Sequence, residues 1–180
     1  LHKAIKQSMA WAVPFLLDLG AKINGKDAQG NLPLHIASGQ SDARIIRDLF
    51  AGGAASEKPN DAGDLPIHIA VRSERLKIIQ TLIELGVEVQ GKDKSGRTAM
   101  HLAADLFDPR IALWLIEQKK VRVDVKDNSG AIPLHYAAQH RSIKLIQRMI
   151  EKGANIKARD KKERTPLHME AYRGESEVVD

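Results

Sequence analysis

Leu32-Pro33-Leu34-His35-Ile36-Ala37 is a six-residue stretch to which the chain returns along its whole length. Its copies keep the histidine in fourth place, and they are Leu65–Ala70, Thr98–Ala103, Ile132–Ala137, Thr165–His168 and a shortened copy, Leu1–Ala4. Successive histidines are 33, 33, 33, 34 and 33 residues apart, and they are His2, His35, His68, His101, His135 and His168. A period this constant is the signature of a repeat protein, in which each unit stacks on its neighbours.

Each repeat also carries the residues of a tight turn ahead of this stretch. An aspartate or asparagine can bond its own backbone, and a glycine three positions later can take a positive φ, so the pattern predicts a turn that projects as a finger. The first of these positions are Asp27, Asn60, Asp93, Asp127 and Asp160. The positions three residues later are Gly30, Gly63, Gly96, Gly130 and, as an exception, Glu163.

Two helices are predicted to follow each finger. Threonine is a good N-cap and proline suits the first helical position, so the repeated stretch begins a short helix. A second helix begins about eight residues after the histidine, because apolar residues recur at the spacing of one helix face. In the second repeat that face is Ile45, Ile46, Leu49 and Phe50. Glycine follows this helix in most repeats, but Lys119 replaces it in the fourth, where we expect a distorted helix end.

This unit of finger, helix, turn and helix resembles the ankyrin repeat. Thr165-Pro166-Leu167-His168 matches the core motif of that family, and Gly20-Ala21-Lys22-Ile23-Asn24 matches the pattern that follows its second helix. The resemblance implies an all-α fold, an ankyrin-repeat solenoid of paired antiparallel helices with β-turn fingers. It also implies that the histidines hydrogen-bond within and between the finger turns.

The period divides the chain into repeats, and we expect residues 1–180 to form a single domain. The repeats are expected at about 1–26, 27–59, 60–92, 93–126, 127–159 and 160–180. Because the first and last of these are incomplete, we also expect the chain to be an excerpt of a longer protein.

Composition and charge narrow the classes of function. Hydrophobic residues make up 43% of the chain and aromatic residues 4%, which fits an aliphatic core shared between repeats. Cysteine is absent, which excludes disulfides and cysteine-based zinc fingers, and no apolar run approaches the ~20 residues of a membrane span. The formal charge is +5, but basic and acidic residues mostly alternate without a stacking platform or a reader motif. We therefore expect no membrane insertion by this segment and no nucleic-acid binding.

The six column histidines do not predict a metal site or a catalytic site. Equivalent residues of stacked repeats lie about 8–10 Å apart, so neighbouring imidazoles cannot both bind one zinc ion at about 2.0–2.1 Å. The chain carries no phosphate-binding glycine loop, no Gly-x-Ser-x-Gly and no cysteine nucleophile. We expect no enzyme activity within these residues, no cofactor and no small-molecule substrate.

The resemblance implies that a partner binds the finger tips and the exposed side of the first helices. These columns vary between repeats, while the other columns are uniform. The finger candidates are Gln29, Asn31, Asp64, Arg97, Lys162 and Arg164. The helix candidates are Gln40, Arg72, Asp105, Leu106, His140, Tyr172 and Arg173. For His140, an ordinary solvated side chain and a partner contact both stay open.

Three features stand out in these columns. Leu106 and Phe107 occupy a turn that is polar in other repeats, so they form an exposed anchor or fold inward before Pro109. The last finger carries an excess of basic residues, which would suit an acidic peptide or is simply a solvated patch. Trp11 lies in a column that is otherwise charged, which points to packing against a further repeat or a partner.

The favoured function is the recognition of another protein in the cytoplasm, without catalysis. Finger tips and a concave helix face that are rigid in advance lose little conformational entropy on binding. Two other interpretations stay open. The segment would be the targeting arm of a larger enzyme or of a secreted bacterial effector, which would act in the host cytosol. Alternatively, it would be a cytoplasmic structural domain of a membrane protein such as an ankyrin-bearing ion channel.

Overall fold

A computed structural model describes residues 1–169 of the chain, and every regular element within them is a helix. The helices with both ends in that range are α1 (His2–Lys6), α2 (Ala12–Asp18), α3 (Pro33–Ser38), α4 (Ala43–Ala51), α5 (Pro66–Arg72), α6 (Leu76–Glu84), α7 (Ala99–Ala104), α8 (Arg110–Leu115), α9 (Pro133–Gln139) and α10 (Ile143–Glu151). Residues 166–169 are helical as well. None of the helices in residues 1–169 has the length and apolar character needed to cross a membrane.

The chain forms two compact units, Leu1–Lys94 and Ser95–Asp180. In the first unit, α1 packs on α2, α3 on α4 and α5 on α6, and in the second, α7 packs on α8 and α9 on α10. Within each unit, the first helices of successive repeats pack side by side, and so do the second helices. The predicted all-α fold of stacked helix pairs is therefore confirmed.

The predicted apolar stripe of the second helix forms the core of each repeat. Ile45, Ile46 and Leu49 of α4 have no exposed surface, whereas Phe50 is only half-buried. Burial of each such aliphatic side chain contributes about 1.5–3 kcal/mol to stability. The alanines of the first helices are buried too, and Ala70 has no exposed surface. Because alanine is small, it lets neighbouring helices approach closely.

The fourth repeat departs from the others in its second helix. α8 has six residues, while α4, α6 and α10 have nine each. Pro109 precedes the first residue of α8, and Lys119 stands where the other second helices are followed by a glycine with positive φ. Lysine adopts that backbone conformation only at a cost, so the helix ends early, at Leu115. The predicted distortion of this helix end is confirmed.

Candidate protein-interaction surface

Each finger turn is held by the residue that starts it. In the first unit, one carboxylate oxygen of Asp27 accepts hydrogen bonds from the backbone N–H groups of Gln29 (3.0 Å) and Asn31 (2.9 Å). Burial would raise the pKa of Asp27, but the bonds from Asn31, Gln29 and the Lys6 ammonium hold that pKa below its ordinary value. The finger is therefore rigid before any partner binds.

In the second unit the fingers are also joined to one another. Asp127 accepts bonds from the N–H groups of Ser129 (2.8 Å) and Ala131 (3.0 Å). The N–H of Lys161, in the following finger, donates to the Ser129 carbonyl oxygen at 2.8 Å. Gly130 has a φ of 82°, and a Cβ added there would lie 3.0 Å from the Lys161 nitrogen. Glycine is needed at this position for its backbone conformation and for the close approach of the next finger.

Four column histidines join a first helix to a carbonyl of the neighbouring finger, namely His2, His35, His101 and His135. The exception is His68, whose Nε2 lies 3.1 Å from the carbonyl oxygen of Gly91, two residues before that finger. In the first unit, the backbone N–H of Leu32 donates to Nδ1 of His35 at 3.1 Å, and Nε2 of His35 lies 2.9 Å from the carbonyl oxygen of Asp64. Since a backbone N–H can only donate, Nδ1 is the acceptor and the proton resides on Nε2, which donates to the carbonyl. In the second unit, His135 makes the corresponding two contacts at 3.2 and 3.1 Å. These bonds confirm the histidine pattern that the resemblance implied.

The hydrogen bond that Nδ1 accepts requires a neutral imidazole, because both ring nitrogens of a charged histidine are donors. Burial lowers the pKa of His35 and of His68 below the ordinary value, although their bonds to backbone carbonyls act in the opposite direction. Neither ring nitrogen has a free lone pair for a metal ion or a proton transfer. In residues 1–169, no group of three or more histidine, cysteine or carboxylate side chains is placed to hold a metal ion.

Two candidates of the first unit are bound within the molecule. The Arg72 guanidinium lies 3.0 Å from Asp64 and 3.0 Å from Asp93, a carboxylate whose side chain is only 3% exposed. Asp64 thus uses its carboxylate on Arg72 and its carbonyl on His35. Arg72 fastens two successive fingers, and its side chain is 38% exposed, so only part of it faces solvent.

The other three candidates of the first unit differ in how free their side chains are. Gln29 is exposed at the tip of its finger. The side-chain oxygen of Asn31 accepts a bond from the Asn60 amide at 2.8 Å, so Asn31 holds two fingers together. Gln40 is half-buried and accepts a weak bond from the Ser8 hydroxyl at 3.4 Å.

The finger candidates of the second unit divide in the same way. Nε and Nη2 of Arg164 both contact Oδ2 of the Asp160 carboxylate, at 2.8 and 2.7 Å. Lys162 and its neighbour Lys161 are exposed, and both use only their backbone N–H groups in the finger turns. Arg97 is half-buried. Tyr172 and Arg173 lie outside the described residues.

The helix candidates of the second unit surround an unusual turn between α7 and α8. Phe107 is 88% exposed, so of the two alternatives for it the exposed one holds and the inward fold does not. Leu106 beside it is half-buried, and Asp105 lies 3.3 Å from Nε2 of His140. His140 itself is only 18% exposed in its side chain, so it is not the freely solvated residue of the alternative interpretation.

The position of Phe107 within the repeat accounts for its exposure. Six residues after the histidine, three other repeats adopt a positive φ, at Ser8 (55°), Glu74 (54°) and Arg141 (50°). Phe107 is their counterpart and, like Ser41 in the second repeat, has no positive φ. Whatever the φ, the residue at this position is exposed in each of the first five repeats. The Asp108 carboxylate accepts a bond from the backbone N–H that starts α8, at 3.0 Å. The polar residues that other repeats carry at this position are the signal that would have placed Phe107 among the candidates.

Comparison with known proteins agrees with this geometry. The sequence model of the family described as "Ankyrin repeats (3 copies)" matches residues 1–93, 34–127 and 100–180, which together span the chain. The chain belongs to the ankyrin-repeat family. Its fold is the ankyrin-repeat solenoid, and ankyrin repeats are generally protein–protein interaction modules rather than catalytic folds.

Among solved structures, this ankyrin-repeat chain is similar to one described as the ankyrin repeat domain of Bcl-3, a unique member of the IkappaB protein family. The two are 25% identical with a TM-score of 0.85, and the match covers 96% of this chain and 79% of the Bcl-3 chain. No curated protein matches the sequence.

Proposed function

We propose that this ankyrin-repeat segment recognises a protein partner without catalysis, and that the turn around Phe107 is its principal contact. The observation that carries the proposal is the 88% exposure of Phe107, on a turn where other repeats place polar residues such as Glu74 and Arg141. Aromatic anchors of this kind, rimmed by polar groups, dominate the energetics of many interfaces. The Asp105–His140 pair supplies such a rim.

The last described finger favours an acidic segment in that partner. Lys161 and Lys162 are exposed, while the neighbouring Arg159 and Arg164 are paired with Glu163 and Asp160 respectively. Two cations on a rigid turn would raise the rate of encounter with an acidic segment more than the final affinity. The exposed finger residue Gln29 would add contacts in the first unit, while Asn31, Asp64 and Arg72 would act chiefly by holding the fingers in place.

We place this recognition in the cytoplasm. The same surface would also serve as the targeting arm of a larger enzyme or of a secreted bacterial effector in a host cytosol. It would equally serve in a cytoplasmic domain of a membrane protein such as an ion channel. A catalytic motif or a membrane-spanning run in the full-length gene would distinguish these roles.

The test is affinity capture with residues 1–180 and two matched variants. Phe107→Asp removes the proposed anchor, and Phe15→Asp makes the same change at a phenylalanine that is 60% exposed elsewhere. Both side chains are largely in solvent, so circular dichroism and thermal midpoints should match the parent chain. We expect a protein that the parent and Phe15→Asp capture and that Phe107→Asp does not. Equal capture by all three chains would contradict the assignment of this surface.

A further inference from the structure

The turn between α9 and α10 exposes a further large apolar side chain. Ile143, the first residue of α10, is 59% exposed. It stands eight residues after the histidine of its repeat, where the first four repeats carry half-buried residues, namely Ala10, Ala43, Leu76 and Pro109. Leu145 and Met149 form the buried side of α10 instead. Packing within residues 1–169 makes little use of Ile143, so its apolar surface is available to a partner.

Two cations without ion pairs flank Ile143. Arg141 and Lys144 are exposed, and neither forms an ion pair within residues 1–169. In the second and fourth repeats, the position of Lys144 is held by Arg44 and Arg110, and each of these pairs with the aspartate two residues before it, at 2.8 and 2.6 Å. Ser142 replaces that aspartate in the fifth repeat, so Lys144 has no carboxylate in its own turn.

Phe107 lies on the same edge of the second unit as these residues. The 3.3 Å contact between Asp105 and His140 joins the end of α7 to the end of α9. The helices α7 and α9 pack side by side, and so do α8 and α10. Arg141 is the counterpart of Phe107 in the next repeat, and equivalent residues of stacked repeats lie about 8–10 Å apart. The turn edge of the second unit is therefore formed by Phe107, Arg141, Ile143 and Lys144.

The charges of the turn edge favour an acidic occupant. The two carboxylates nearby are engaged, since Asp108 pairs with Arg110 and Asp105 lies beside His140. The two unpaired cations of the edge would lose water when a partner covers the apolar side chains between them. Because burial of an unpaired charge is costly, a partner that supplies carboxylates is favoured over one that does not.

A protein segment fits this edge better than a membrane surface. Anionic membranes are recognised by clusters of about 4–8 basic residues, whereas the turn edge supplies two unpaired cations beside its apolar side chains. The corresponding positions of the first unit carry Ser8, Ser41 and Glu74 in place of Phe107. An apolar segment would therefore select the second unit over the first.

We propose that the turn edge binds one protein segment that presents at least two large apolar side chains together with carboxylates. The apolar side chains contact Phe107 and Ile143, and the carboxylates pair with Arg141 and Lys144. The inference rests on the proposed function, in which the turn around Phe107 is the principal contact, and it specifies the chemistry of the segment that binds there.

The test begins with random peptides displayed on phage and selected on residues 1–180. Counter-selection on the Phe107→Asp chain keeps only those peptides that need the turn around Phe107. We expect the retained peptides to carry a net negative charge and to share at least two large apolar residues, relative to the starting library.

Synthetic copies of the retained peptides are then titrated against variants of the other edge residues. Ile143→Asp, and the double change Arg141→Glu with Lys144→Glu, should each weaken binding by about tenfold or more. Both chains should fold, because acidic residues suit the first turn of a helix and Glu74 adopts a positive φ at the position of Arg141. Circular dichroism checks this, and the milder Ile143→Ser and Lys144→Gln replace any variant that does not fold.

Matched control variants lie in the first unit. Leu19→Asp changes a side chain that is 69% exposed, as Ile143→Asp does in the second unit. Lys58→Glu with Lys77→Glu makes the same charge change at two exposed lysines, and Lys77 holds the position of Lys144 in its own repeat. Both control chains should bind the peptides as the parent does.

The inference is overturned, while the proposed function stands, if the retained peptides are neutral or basic, or if the edge variants bind them as the parent does. It is also overturned if no peptide is retained, and affinity capture with Phe107→Asp then decides the proposed function separately. Cosedimentation of the chain with phosphatidylserine vesicles that Ile143→Asp abolishes would overturn it as well, because a membrane would then be the occupant.

Discussion

At the scale of single residues, the column histidine has taken over the capping of the first helix. Its Nδ1 accepts the backbone N–H of the N-cap residue, whether that residue is Leu32 or Thr98. The Thr98 hydroxyl also lies 2.9 Å from Nδ1 of His101, so it bonds the imidazole rather than a backbone N–H. Leucine therefore serves at this position without loss of the cap, and Leu32 is buried in the core instead.

Acidification should destabilise the chain before any carboxylate titrates. Burial lowers the folded pKa of His35 and His68 below the ordinary 6.5, so the unfolded chain binds more protons near that pH. Their contribution to stability is complete above the unfolded pKa and is lost as the pH falls through the folded pKa. The midpoint of urea unfolding should thus be lower at about pH 5.5 than at about pH 7.5. A midpoint that is unchanged or higher at the acidic pH would contradict this prediction.

Replacing Glu163 with glycine, which the other fingers carry at this position, should raise the free energy of unfolding. Its φ is 58°, a conformation that costs a non-glycine residue about 1–2 kcal/mol. After the extra chain entropy of glycine and the loss of the exposed Arg159–Glu163 ion pair are subtracted, Glu163→Gly should stabilise by about 0.5 kcal/mol. The opposite change, Gly130→Ala, should destabilise by more than about 1 kcal/mol, because its Cβ would meet the next finger. Chemical denaturation measures the change in unfolding free energy for each variant. If both variants were stabilised, or both destabilised, this prediction would be refuted.

At the scale of helices, neighbouring positions of one apolar stripe should differ in how much they contribute to the free energy of unfolding. Leu82 of α6 has no exposed surface, while the adjacent Ile83 is half-buried. Leu82→Ala should cost about 2–5 kcal/mol of unfolding free energy through lost burial and the cavity it leaves. Ile83→Ala should cost clearly less, because part of its side chain is already in water. Denaturant unfolding of the pair checks the order, and a larger loss at Ile83 would be inconsistent with this packing.

The sequence predicted the helices well because their determinants are local. Proline or threonine at the start and the apolar period are all visible within one repeat. The exposure of Phe107 was left open, since an apolar side chain in a turn can either fold inward or face solvent, and only the structure shows that this position is exposed in each of the first five repeats. The ion pairs of Arg72 were also beyond sequence reasoning, because they depend on how closely successive fingers approach.

At the scale of the whole molecule, the positive charge should act on the rate of partner binding. The formal charge is +5, and Lys161 and Lys162 lie exposed on one rigid finger. Association with an acidic partner should slow as salt rises from about 0.05 to about 0.5 M, since the screening length falls well below 10 Å. Lys161→Glu with Lys162→Glu should remove most of that dependence in stopped-flow or biosensor measurements.

A matched control separates local charge from net charge in that experiment. Lys22→Glu with Lys58→Glu makes the same two changes at exposed lysines of the first unit, so both double variants fall from +5 to +1. The control should keep most of the salt dependence of the parent chain. If the two double variants behave alike, net charge rather than the last finger governs the encounter.

The histidine links have a consequence for how such a gene can change in length. His2 reaches Asn31, His35 reaches Asp64, and His135 reaches Arg164, each across 29 residues and each to a backbone carbonyl. Because the acceptor is a carbonyl, the link does not depend on which side chain the next finger carries. A duplicated or deleted stretch of 33 codons therefore leaves a carbonyl 29 residues beyond the histidine at the junction, while the finger tips are free to diverge. His68 departs from this spacing and lies 3.1 Å from the Gly91 carbonyl, 23 residues on. Unequal recombination can in this way alter the reach of the protein and its choice of partner in a single event.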